Sequence, residues 1–410
     1  MTYGDKYNLL ENKYNLKDDS IKIPECGIEI RNLKFISDSW ILLPGAKEYK
    51  CLKHNSGFLE KINYEKHEIF QHYPDILKHD DLEIFENREF SYTIFQKIGS
   101  KKSDSVILLF HGLNEKHWNK YLPWAEKLVQ LTGKTVLLFP IAFHMNRSPA
   151  DWSNPHLMNN VALLRRNYSR SITNSTFANA AISARIQTIP QRFFWSGLQT
   201  FYDVVKLISE IKKNNHPLIN PTATIDLFSY SIGSFLSEIL MMANPRNYFS
   251  DSRLFMFCGG STLDRMSPNS KFILDSDATI AIYSFYTERL ESELKLDKRI
   301  AHYFNGNHVS GTYFKSMLSY KKNKELRENR FNELSKRIYA IALKKDEVIP
   351  PNEVINTLQG DYRSIPTKVD IMDFPFPYSH IKPFTEDSSY SDVVDKHFNT
   401  IFNSAAKFLE

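Results

Sequence analysis

The 410-residue chain has only three cysteines, Cys26, Cys51 and Cys258. An odd number at wide spacing supports neither a disulfide framework nor a paired zinc motif. Long apolar runs are also missing: Val106 to Phe110 and Val136 to Phe143 fall well short of the roughly 18 residues needed to cross a bilayer. No transmembrane segment is expected. The first residues lead into charged, Asn-rich sequence instead of an apolar stretch ending in small residues, so no secretory signal is expected and a cytoplasmic location is the default. On that reading the Asn-x-Ser/Thr matches at Asn146, Asn167 and Asn174 carry no glycan. Excess charge is slight, since 52 Lys and Arg against 47 Asp and Glu leave a net +5. Such an excess gives no support to a nucleic-acid partner. There is no Gly-rich phosphate loop of the GxxxxGK type and no Cys or His cluster at ligand spacing, so no cofactor and no metal is called for.

What is present is a large apolar and aromatic complement: 42% hydrophobic residues and 13% aromatic ones, which excludes a disordered chain. The length is too great for one ordinary compact domain, so it predicts either two domains or one large fold with long insertions.

Periodicity favours the second. Phe90 to Phe95 alternates like a half-buried strand, and the continuous apolar run Val106 to Phe110 suits a strand covered on both faces. A helical pattern follows over Trp118 to Leu131, ended by Gly133, and then another buried strand, Thr135 to Phe139. Strand, helix, strand at short spacing is the mark of a parallel α/β sheet. The alternation recurs: a helix over Phe194 to Ile211, a strand over Ala223 to Phe228, a helix over Ile232 to Met242 and a strand over Leu254 to Cys258. Strands over Arg337 to Leu343 and Lys368 to Phe374 and a closing helix over Val393 to Leu409 complete it. Residues 1–88 show no repeat and no signature, and they are expected as an N-terminal extension without an assignable role. Residues 141–191 are polar, Arg-rich and weakly periodic, and 261–336 carry helical segments but no buried strand. Both follow a strand, on the side of an open α/β sheet where ligands bind, so they are expected as walls of a site.

Ser229-Tyr-Ser231-Ile-Gly233 falls between a strand and a helix. A sharp turn there lifts the central serine above the sheet, while small neighbours let strand and helix approach. The chain around it resembles the α/β-hydrolase family, with Ser229 where the first Gly of Gly-x-Ser-x-Gly usually stands. The resemblance covers about Glu89 to Gly260 and Arg337 to the end, and it implies a mostly parallel central sheet flanked by helices. It also implies that 261–336 forms an inserted, mainly helical lid. In the family's order of Ser, then acid, then His, the turns after successive strands supply Asp346 and His380. A serine nucleophile needs a base, and the base needs a group that fixes its tautomer. The backbone N–H groups of Ile232 and of Leu113, in the turn His111-Gly112-Leu113-Asn114, are the implied oxyanion donors.

Plainer roles stand beside these: Ser231 as a helix N-cap, Asp346 as a solvated turn residue, His380 as a surface loop histidine. Asp264 is an alternative acid, whereas His308, Asp373 and His111 fit the order less well. Arg165, Arg166 and Arg170 either grip an anionic substrate group or form a solvated face. Phe272, Tyr283, Phe285 and Tyr286 either line an acyl pocket or belong to the core. The expected activity is serine hydrolysis of an ester or similar acyl bond in a small-molecule substrate. An acyltransferase and a catalytically silent binding protein on the same fold are the alternatives.

Overall fold

The computed structural model describes residues 1–51, 53–59 and 68–410. Among the described residues eleven strands run in chain order: β1 (Ser20–Ile23), β2 (Ile28–Ile36), β3 (Glu48–Cys51), β4 (Ser56–Leu59), β5 (Glu89–Lys97), β6 (Ser103–Phe110), β7 (Thr135–Leu138), β8 (Ile219–Tyr230), β9 (Leu254–Phe257), β10 (Ile338–Leu343) and β11 (Lys368–Met372). Nine of them form one sheet in the order β1-β2-β5-β7-β6-β8-β9-β10-β11, and β3 and β4 pair separately. From β7 to β11 every pairing is parallel, while β1, β2 and β5 extend the sheet antiparallel from the β7 edge.

Alternate residues of a strand face opposite sides, and β6 shows what that does here. Val106, Leu108 and Phe110 join the core on one face, and Ile107 and Leu109 join the core on the other. Helices Leu122–Thr132 and Ser391–Leu409 cover the second face, together with Tyr3–Lys13. Helices Arg192–Lys212 and Ile232–Ala243 cover the first. Gly133 adopts a left-handed φ of 69° and closes the first of these helices, where a side chain would be strained. No described helix is long and apolar enough to cross a membrane.

The sequence reading starts the sheet at Glu89, but the structure starts it earlier. Strand β2 pairs with β5 along all of Ile28 to Ile36, so part of residues 1–88 belongs to the sheet itself. Residues 141–191 also hold more order than their weak periodicity suggests, with helices Pro155–Tyr168 and Ala180–Thr188. Their arginines explain the polar composition. Arg147 pairs with Asp203 at 2.8 Å and Arg165 with Asp275 at 2.7 Å, every partner fully buried. Asp81 takes Arg192 at 2.8 Å and also Arg185. The stretch is thereby fastened to a sheet-covering helix, to the 261–336 segment and to the leading segment. Arg165 is thus neither a substrate grip nor part of a solvated face; Arg166 and Arg170 are exposed.

The 261–336 segment is mainly helical, with Ser276–Tyr283, Leu290–Leu296, Lys298–His302, Val309–Ser316 and Lys324–Leu334. Phe285 and Tyr286 are buried in the main core with Phe314.

One buried group is out of keeping with its surroundings. Glu238, in helix Ile232–Ala243, is fully buried, and neither carboxylate oxygen has a hydrogen-bond partner among the described residues. Burial pushes its pKa well above the usual carboxylate range, opposed by the charge of Arg327. Above the unfolded pKa the unfolded chain loses this proton and the folded chain keeps it, so stability falls as pH rises. Glu238→Gln keeps the shape and cannot ionise. It is expected to match the unaltered protein in acid and to exceed it increasingly toward neutral pH, as read by denaturant midpoints; parallel curves would refute the buried neutral acid.

Candidate active site

Strands β6, β8, β10 and β11 are parallel, and the turns at their C-terminal ends converge. Ser231 follows β8 directly, with φ 55° and ψ −123°. A non-glycine residue in that region is strained, and a sharp strand-to-helix turn is what holds it there. The turn works only because its neighbours are small. A Cβ on Gly233 would lie 2.8 Å from the carbonyl oxygen of His111 and from the carbonyl carbon of Phe110, and one on Gly259 would collide with Ser234 Oγ. Ser229 is fully buried and donates its hydroxyl to Ser234 Oγ at 3.2 Å.

The turns after β10 and β11 bring Asp346 and His380 to this serine. Ser231 Oγ lies 2.7 Å from His380 Nε2, and His380 Nδ1 lies 2.8 Å from Asp346 Oδ2. With the proton on Nδ1, the imidazole donates to the carboxylate and offers its Nε2 lone pair to the serine hydroxyl. The other carboxylate oxygen, Asp346 Oδ1, accepts the backbone N–H groups of Val348 and Ile349, both at 2.9 Å. Tyr230 stacks on the imidazole, ring centroids 5.4 Å apart, and donates its hydroxyl to the backbone carbonyl of His380. All three residues are buried, Ser231 at 5% exposure, so the chain of hydrogen bonds is largely shielded from water.

The N–H groups of Ile232 and Leu113 have no hydrogen-bond partner among the described residues, and both residues line one cavity of about 60 Å³. Its walls are mostly apolar, from Phe193, Phe235 and Phe314 among others. Leu113 also borders a wider, more polar groove of about 540 Å³ reached by Lys116, Lys120 and Phe272. The turn carrying Leu113 is held on several sides. Gly112 N–H donates to Tyr121 Oη at 2.9 Å, and Asn114 Nδ2 donates to the carbonyls of Ala178 and Phe272 at 2.8 and 2.6 Å. Those two carbonyls belong to 141–191 and to 261–336, so both stretches meet the turn of Leu113.

His111 is part of this support and no base. Its Nε2 accepts the N–H of Ile141 at 2.9 Å, and Nδ1 donates to the carbonyl of Gly112 at 2.8 Å. Burial, then the neighbouring His144, pushes its pKa well below the ordinary histidine value. Asp264 lies elsewhere: its carboxylate accepts Thr262 Oγ1 at 2.8 Å, Ser319 Oγ at 2.9 Å and the N–H of Tyr320. Asp373 takes the hydroxyl of Tyr378 at 2.7 Å. Of the four aromatic residues that stood between an acyl pocket and the core, none lines the apolar cavity: Phe285 and Tyr286 belong to the core and Phe272 borders the polar groove, while Phe314 stands in the cavity wall.

Two residues beside the triad turns and the cavity went unread in the sequence. Cys258, whose thiol burial and then Asp346 push well up, lies against the acid. His144 is buried beside the apolar cavity, its pKa pushed down to about 4 by burial. Its Nδ1 is bonded to the Ala142 carbonyl at 2.9 Å, and Nε2 has no partner among the described residues. Only their position after strands β9 and β7 could have singled them out.

A family model describes residues 1–410 in full. The chain belongs to DUF6051, a family of unknown function. No curated protein matches it. Among solved structures, carboxyl esterase 2 from the mycorrhizal fungus Tuber melanosporum is similar at 11% identity over 78% of this chain and 81% of that one, with a TM-score of 0.45. A thermostable esterase from Pseudomonas putida ECU1011 is similar at 8% identity over 100% and 91%, with a TM-score of 0.43. At this level the likeness decides neither fold nor activity in this DUF6051 member, and the fold is described from its own sheet and helices.

The close approach at Gly233 is directly testable. Gly233→Ala puts a methyl against backbone that cannot move without shifting β6, so overpacking is expected to cost about 1–3 kcal/mol in urea denaturation. An unchanged midpoint would mean the turn is looser than described.

Proposed function

We propose that this protein is a serine hydrolase of the α/β-hydrolase type, acting on an ester or similar acyl bond. The observation that carries the proposal is the hydrogen-bond chain Ser231 Oγ, His380 Nε2, His380 Nδ1, Asp346 Oδ2, at 2.7 and 2.8 Å, with the serine on a strained turn. Ser231 Oγ attacks the acyl carbon as His380 takes its proton. Asp346 fixes the imidazole tautomer and stabilises the imidazolium. The developing oxyanion is received by the N–H groups of Ile232 and Leu113, the first also at the positive end of a helix. His380 then protonates the leaving group, and water, activated by the same histidine, releases the acyl group from Ser231. The narrow apolar cavity beside Ile232 takes a short acyl chain, and the wider groove past Leu113 takes the leaving group.

Labelling with a fluorophosphonate, alongside hydrolysis of p-nitrophenyl acetate and palmitate, tests this. The unaltered protein is expected to label and to prefer the acetate, and Ser231→Ala to do neither. Labelling that persists in Ser231→Ala, or is absent from both proteins, would sink the proposal; labelling without hydrolysis of any ester would turn it toward acyl transfer.

The acid is tested separately. Asp346→Asn is expected to lower kcat by roughly 10⁴-fold, the order found when a triad carboxylate is neutralised, and Asp264→Asn to leave kcat near that of the unaltered protein. The reverse ranking would replace Asp346.

A further inference from the structure

Far along the sequence from the serine's neighbourhood, four side chains converge whose chemistry the hydrolytic reading does not use. Cys51 ends β3 and His54 sits in the turn of the β3–β4 hairpin. His302 and His308 bracket the kinked turn Tyr303–Asn307, where Gly306 has φ 90°. Cys51 Sγ, His54 Nδ1, His302 Nε2 and His308 Nε2 all lie within 4.8 Å of one another.

Hydrogen bonding among these four does not account for the arrangement. His302 Nε2 is 3.2 Å from His54 Nδ1 and 3.2 Å from His308 Nε2, while Cys51 Sγ is 3.4 Å from His308 Nε2 and 3.6 Å from His54 Nδ1. A ring nitrogen presents one lone pair or one N–H, never both. Four contacts closed through three such nitrogens therefore leave at least one contact without a proton of its own. The three imidazoles also meet at steep angles of 73° to 83°, with centroids 4.7 to 5.1 Å apart, like rings radiating from a common centre.

We infer that Cys51, His54, His302 and His308 form a tetrahedral zinc site. Bond lengths of about 2.0–2.1 Å to nitrogen and 2.3 Å to sulfur require tetrahedral edges of about 3.3 Å between nitrogens and about 3.6 Å between nitrogen and sulfur. The four contacts above match these edges, and the two remaining pairs of the six lie within 4.8 Å, near enough to close onto an ion. The outer partners fit the same assignment. Tyr202 Oη lies 3.4 Å from His308 Nδ1, placed to accept its N–H and so leave Nε2 free for the metal. Asn307 faces His302 Nδ1 at 3.3 Å and, with its amide turned so that oxygen faces the ring, accepts that N–H in the same way. Four protein ligands leave no open position, so the site is structural. Cys51 binds as thiolate, releasing its proton on metal uptake.

The site joins two parts that also meet where Arg299 lies over the Tyr49 ring and Phe58 packs on His302. A two-stranded hairpin such as β3–β4 is marginal alone, and the metal ties it to the 261–336 segment. Helix Val309–Ser316 begins immediately after His308 and carries Ser310 and Phe314 into the wall of the apolar cavity, so the clamp also fixes one side of that cavity.

Metal analysis of the tag-free full-length protein, purified with zinc and then desalted, is expected to give close to one zinc per chain. Cys51→Ser and His302→Ala are each expected to lower that content severalfold and to lower Tm, and a chelator to lower the Tm of the unaltered protein. Should the variants fail to fold, the unaltered protein stripped and reloaded with cobalt still decides the matter. A thiolate-to-cobalt charge-transfer band with the intense visible absorption of tetrahedral cobalt supports the site. No retained metal, cobalt bound without a thiolate band, or undiminished zinc in a folded Cys51→Ser variant would overturn it.

Discussion

The constraint on which the rest of this structure depends is the turn at Ser231. Its positive φ is held only if strand β8, helix Ile232–Ala243 and the turn after β6 come closer than ordinary side chains allow. That explains Ser229, Gly233 and Gly259 at the contact points better than any general preference for small residues. The strain is offset by burial on both faces of a sheet whose strands β6 and β8 are buried throughout near the turn. The same compression that costs backbone freedom presents Ser231 Oγ to His380 and leaves the Ile232 N–H, at a helix start, without a partner among the described residues.

Around that rigid centre the less regular parts of the chain are fastened by polar groups. Three sets of buried arginine–aspartate contacts bind 141–191 to its surroundings. Such pairs add little net stability over an apolar equivalent, but breaking one leaves an uncompensated buried charge. They therefore fix position strongly. Asn114 does the same on a smaller scale, drawing one carbonyl from each walling segment onto the turn of Leu113. The inferred zinc site belongs to this pattern, a polar fastening between the leading hairpin and the later insertion.

What could be read in advance followed local signals. The runs 106–110, 254–258 and 337–343 are apolar because their strands are covered on both faces, and the strands and the turns at their ends fall where that predicts. Ser231, Asp346 and His380 were legible because each stands beyond a strand that the pattern predicts, over 223–228, 337–343 and 368–374. The helices of 141–191 were not, because their buried faces are lined partly by arginine and small residues, which erases the apolar period. Strand β1 was missed because it lies at the edge of the sheet and is largely exposed, and β2 because its burial does not alternate cleanly and polar residues interrupt its apolar ones.

The sequence by itself determined a mostly parallel α/β sheet and the three side chains whose order along the chain suits a serine reaction, since buried strands and strand-end turns are local patterns. Only the tertiary structure decided which carboxylate meets His380, that Arg165 is an internal fastening, and that Phe314 and not Phe285 faces the apolar cavity. It alone assembled Cys51 with His308, 257 positions apart. Contacts of that kind are fixed by how distant segments pack, and no periodicity or spacing in a single segment carries them.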